Sequence, residues 1–186
     1  MTLFEYLSVA VSIVVSLSAA QILMNLRAVF DPARRYWVHT LWVVIVLYIH
    51  LLLWWGFWAY RDIELWNLAT FSLVLLNPGI LFVASSTLVL NVSKTDDSWE
   101  KHFFDIRRSF IVTIGLIPVG AVLRDWVLLD TPVVTWGHLP ELFMTMVNIA
   151  AWASANRRLH AVLVLGALVI LTMFTASIWL APGAGR

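Results

Sequence analysis

Five uninterrupted apolar runs restrict the possible folds of this chain more than any other feature. They cover Phe4–Asn25, Val38–Tyr60, Leu65–Leu90, Ser109–Leu129 and Leu159–Leu180. A helix rising about 1.5 Å per residue needs about 20 predominantly apolar residues to cross the hydrocarbon core of a bilayer. Each run meets that length. A sixth, Leu139–Ser154, is shorter and carries Asn148. None alternates apolar and polar residues with period two, which excludes a transmembrane β-barrel. The composition agrees, with 61% of residues hydrophobic and 12% charged. Soluble domains are roughly half apolar and about a quarter charged, so a soluble chain of this kind would lack the polar side chains to cover its surface. A net charge of +1 offers nucleic acid no electrostatic attraction. The absence of cysteine removes disulfides and thiolate chemistry. The expected fold is all-α, a single polytopic membrane domain over residues 1–186.

Basic residues decide the number of crossings. With six spans, one side holds Arg27, Arg34, Arg35, Lys94, Lys101, Arg107, Arg108, Arg157 and Arg158, while the other holds Arg61, Arg124 and Arg186. Lys and Arg in short loops stay on the cytoplasmic side. If the sixth run, 139–154, did not cross, Arg157 and Arg158 would move to the poor side and weaken the asymmetry. Six spans with both termini outside are therefore expected. No basic residue precedes Arg27, so the first run lacks the positive flank of a signal peptide and is expected to stay in place.

The connection from Asn91 to Arg108 places Trp99, Phe103, Ile106 and Phe110 on one helical face, with Lys101, Arg107 and Arg108 also in the segment. It reads as a short interfacial amphipathic helix over 97–108 that runs into the fourth span. Asp97 and Glu100 have the spacing of a capping box. Asp31-Pro32 reads as a helix start. The eleven tryptophans, among them Trp42 and Trp99, are expected at headgroup depth, where indole keeps an apolar body and a wet N–H.

No Asp, Glu, Lys or Arg falls deep inside a run. The titratable group nearest the middle is His50. Ser12, Ser16, Asn77 and Asn148 reach similar depth, and together with His50 they form a candidate polar path. Pro78, Gly79 and Pro118 are candidate helix breaks, because proline lacks the N–H that the helix needs. Broken helices at mid-membrane mark many transporters, whereas buried Asn and His also serve as packing contacts between helices. Ser8, Ser12 and Ser16 share one face of the first span, a spacing that suits close approach of a second helix. His39, His102 and His160 lie near the inner interface on different elements, a candidate haem or metal site, although no cofactor at all is the simpler expectation. No zinc-protease, nucleophile-elbow, P-loop or dinucleotide motif is present, so no catalytic residue is assigned.

Tyr36-Trp37-Val38-His39, the Trp54-Trp55 pair and Trp99-Glu100-Lys101-His102-Phe103-Phe104 resemble features of small six-span bacterial inner-membrane proteins that have no assigned function. The resemblance implies a bacterial inner membrane and nothing about activity. Two functional expectations follow from the residues. One is a small channel or uniporter-like translocator. The other is a non-catalytic accessory subunit of a larger membrane complex. In either, the partners are the lipid bilayer and other subunits, identical or not, rather than nucleic acid.

Overall fold

The computed structural model describes residues 3–63, 66–89 and 98–179. Six α-helices account for almost all of them: α1 (Leu3–Val29), α2 (Trp37–Gly56), α3 (Leu68–Val89), α4 (Trp99–Leu129), α5 (Leu139–Ala153) and α6 (Arg157–Trp179). No strand occurs among the described residues. All but α5 are long and apolar enough to cross a membrane. At 15 residues, α5 measures only about 22 Å.

Several helix ends have an identifiable chemical cause. The Ser98 side chain accepts the backbone N–H of Lys101 and caps α4; Asp97 lies outside the described residues. At its other end α4 stops on Asp130, whose φ of 51° is left-handed and whose N–H returns to the Asp125 carbonyl. Pro140 occupies the first turn of α5, where its missing N–H has no helical partner to lose. Asp31-Pro32 does not start a helix. The Asp31 side chain accepts the N–H of Ala33 and its carbonyl accepts those of Arg34 and Arg35, which makes a single turn. Extended backbone at Tyr36 then precedes α2.

Pro78 and Pro118 are not breaks. Both lie within continuous helices, α3 and α4, and Gly79 continues the first of these. Residues 99–108 also form no separate element lying flat, being the opening turns of the 31-residue α4. Their apolar face turns inward instead of onto lipid. Trp99, Phe103 and Phe110 are fully buried, and Trp99 donates its ring N–H to the Ala28 carbonyl.

Successive helices run in opposite directions, as contacts at the two ends show. At one end the Trp99 N–H reaches the Arg34 carbonyl, His39 and His102 meet Leu88, Arg107 donates to the Ser154 carbonyl, and Arg157 pairs with Glu100 at 2.9 Å. At the other end Phe4 stacks on Phe57 and Tyr60 meets Asp125. α3 packs against α1 and α4, and α4 against α5; α2 touches α1, α3 and α6. The larger core draws on all six helices, and a smaller one joins Leu7, Val11, Val15, Phe57, Tyr60 and Val74. The outer faces are equally apolar: α1 exposes Tyr6, Val9, Ile13, Leu17 and Met24. Trp42 and Trp99 belong to the core rather than to an interfacial belt, whereas Trp37, Trp54, Trp58, Trp126, Trp136 and Trp152 are exposed.

Candidate functional site

His50 sits on the inward face of α2 and is almost fully buried. Its Nδ1 lies 2.7 Å from the Val46 carbonyl oxygen, one turn back. A carbonyl only accepts, so Nδ1 carries a proton. Nε2 lies 2.7 Å from the Ser18 hydroxyl of α1, which lies 3.0 Å from the Ser85 hydroxyl of α3. With a neutral imidazole, Ser18 donates to Nε2 and accepts from Ser85. The result is a buried hydrogen-bonded line across three helices. The sequence reading missed Ser18 and Ser85. Ser18 does occupy a position in the buried series Leu7, Val11, Val15, Ser18, Ile22, where a polar residue among apolar ones is the available signal.

The other candidate path residues do not join this line. Asn77 on α3 donates Nδ2–H to the Ile117 carbonyl at 3.2 Å and rests on Gly120, where an added Cβ would come within 2.2 Å of its Oδ1. Asn148 on α5 donates to Met144 one turn back and rests on Gly115. The glycines at 115 and 120 present different faces of α4 to different neighbours, so the two asparagines flank α4 separately. Both Oδ1 atoms are buried without a hydrogen-bond partner. Ser12 accepts the Trp54 ring N–H at 3.3 Å, and Ser16 is exposed. With Ser8, Val9, Ile13 and Leu17 they line a shallow groove of about 450 Å³ on the outer surface of α1.

His39, His102 and His160 share the arginine-rich end but not one ligand sphere. Nε2 of His39 and Nε2 of His102 both face the Leu88 carbonyl, at 3.0 and 3.1 Å, so both are N–H donors with no lone pair to offer a metal there. Leu88 is in the last turn of α3, where carbonyls have no helical partner; the two imidazoles supply it. The His39 ring stacks on Trp99 at 4.4 Å. His160 turns Nε2 to the Ser154 carbonyl and lies edge-on to Phe103 and Phe104. Among the described residues no three His, Asp or Glu side chains are arranged to hold a metal ion.

At the opposite end a second polar cluster has formed that sequence reading did not assemble. Asp125 on α4 accepts the Tyr60 hydroxyl at 2.6 Å and Arg124 Nε at 3.2 Å, both on Oδ1. The Arg124 guanidinium lies over the Tyr60 ring, 5.1 Å from its centroid. His138 Nε2 faces the other carboxylate oxygen at 3.7 Å, and the Glu141 carboxylate is within electrostatic reach of Arg124, Asp125 and His138. Tyr60 lies 65 residues before Asp125 in the chain, whereas His138 and Glu141 follow α4 after one connection, so no local spacing announces the Tyr60 contact.

No family model matches the chain, and no curated protein or solved structure is significantly similar to it.

Proposed function

We propose that this chain is a multi-pass protein of a cell membrane, a bacterial inner membrane by its resemblance, with the arginine-rich end in the cytoplasm, and that it is a non-catalytic accessory or assembly subunit of a larger membrane complex. One observation carries this reading. Four of the deep polar side chains make contacts between neighbouring helices: Ser18 with His50 and Ser85, Asn77 with Ile117. Such contacts hold helices together where lipid offers no hydrophobic drive for association. The serine groove of α1 remains uncovered on the outside, a place for another transmembrane helix to pack. The test is gentle detergent extraction from native membranes followed by mass measurement. A defined hetero-complex is expected; a homogeneous particle made of this chain alone would overturn the assignment.

A second reading, translocation of a neutral solute or ion, is favoured by the hydrogen-bonded line His50–Ser18–Ser85. It predicts flux in proteoliposomes that His50→Ala abolishes. Absence of flux for protons, cations and small neutral solutes would remove it.

A further inference from the structure

Near its start α4 carries a buried cation that no anion answers. Arg107 is only 7% exposed, and its guanidinium donates to the neutral Ser154 carbonyl. No carboxylate pairs with it among the described residues. His160 turns Nε2 to the same carbonyl and brings no negative charge. A buried charge is costly unless an opposite charge or several hydrogen bonds compensate it. Two residues earlier the opposite situation holds. Asp105 is an exposed carboxylate that forms no ion pair among the described residues. Positions two apart on a helix do not face each other, so Asp105 and Arg107 do not neutralise one another.

A depression of about 380 Å³ opens beside these two residues. Lys101, Phe104 and Asp105 of α4, Ala155 of the connection after α5 and Arg157 of α6 line it. Arg107 is held to the residue that precedes Ala155. Glu100, also at the opening, is taken by Arg157 at 2.9 Å, and the Tyr36 hydroxyl comes within electrostatic reach of that pair. Both α4 and α6 begin here, so the positive ends of two helices converge on it. The apolar runs of these helices start at Ser109 and Leu159. The depression therefore lies just beyond the hydrocarbon, at headgroup depth.

We propose that this depression binds the headgroup of an ethanolamine phospholipid. A phosphate supplies the missing negative charge, and its oxygens accept guanidinium and ammonium N–H groups in strong, charge-assisted bonds. Arg107, Lys101 and Arg157 are the cations that hold it. The ethanolamine ammonium supplies the missing positive charge and donates its N–H groups to Asp105. A headgroup with phosphate alone sets a second anion against Asp105, and a choline headgroup has charge but no N–H to donate. One zwitterion thus answers both uncompensated groups. The inference goes beyond the accessory role and rests only on the membrane reading, with the arginine-rich end at a bilayer surface.

The experiment is native mass spectrometry of the full-length protein released from nanodiscs made of phosphatidylethanolamine and phosphatidylglycerol in equal parts. The wild type should retain the ethanolamine lipid about two- to fivefold over the glycerol lipid, the size expected of an exposed charge pair. Asp105→Asn, at an exposed position, should erase that preference while phosphate binding persists. Arg107→Gln should lower retention of both lipids about tenfold, as loss of a hydrogen bond to a charged group does. Should that protein fail to fold, Lys101→Gln takes its place, with a smaller loss for both lipids. A wild type without preference, an Asp105→Asn protein that keeps it, or a folded Arg107→Gln protein with undiminished retention overturns the site. Soluble phosphoethanolamine held in place of the lipid would overturn the lipid as its source. Resistance of the wild type to carbonate extraction from membranes tests the membrane reading separately.

Discussion

At Gly120 the backbone of α4 leaves the space that the Asn77 amide occupies. A methyl group there meets Oδ1 at 2.2 Å, and Asn77 cannot swing aside easily, being buried and tied by Nδ2 to Ile117. Gly120→Ala should therefore destabilise the protein by about 1–3 kcal/mol, and the double variant Asn77→Ala/Gly120→Ala should recover part of that loss. Thermal unfolding in detergent, followed by tryptophan fluorescence, measures both. Nothing lies within 4 Å of a Cβ at Gly79 or Gly166, so alanine at either should be neutral or stabilising by up to about 1 kcal/mol. The His50–Ser18 pair lends itself to a double-mutant cycle with alanine. Polar contacts between membrane helices average about 0.6 kcal/mol and reach about 1.7, and the short 2.7 Å contact places this coupling toward the upper part of that range. A coupling near zero would mean that the two groups do not hydrogen-bond in the folded protein.

Among the elements, α4 organises the bundle. It packs on α3 and α5, and its first turns fill the centre of the arginine-rich end. Trp99 ties that turn to the end of α1 through Ala28 and to the turn after α1 through Arg34, while Arg107 reaches Ser154 at the end of α5. Ser98→Ala removes the helix cap and should cost about 1 kcal/mol, seen as faster amide exchange confined to residues 99–103. Trp99→Phe keeps ring stacking on His39 but loses the N–H bond to Ala28, so faster exchange should spread to the end of α1 as well. If Ser98→Ala instead loosened α1 and Trp99→Phe did not, the assigned roles of cap and tie would be wrong. The period-3.6 pattern of Trp99, Phe103, Ile106 and Phe110 was legible, but its partner was not. An apolar helical face fits protein or lipid equally well, and the tight fit against Ala28, Tyr36, His39 and His160 is a property of six helices together.

For the whole molecule, the absence of cysteine makes site-directed labelling direct. In cells, Arg35→Cys and Arg158→Cys should react with an impermeant thiol reagent from one side of the membrane and Arg61→Cys from the other. If Arg158→Cys shared the side of Arg61→Cys, α5 would not cross. Much of the architecture was readable beforehand. Runs of about 20 apolar residues admit little but helices, because backbone N–H and C=O groups must be satisfied within the segment. The alternation of basic loops anticipated the end at which Arg34, Glu100, Ser154 and Arg157 come together. Which side chains meet inside the bundle was not readable. Helices that are apolar on every side carry no stripe to set their rotation, so the sequence could not say that Ser18 would turn inward and Ser16 outward. These two residues lie about 200° apart around α1, and only the shape of the packed neighbours separates them. The same holds for Tyr60, Asp125 and His138. Sequence by itself determined the long apolar helices and the charge at each end, since those depend on local composition. The tertiary structure alone decided which polar groups pair, because pairing depends on rotation and depth, which only close packing sets.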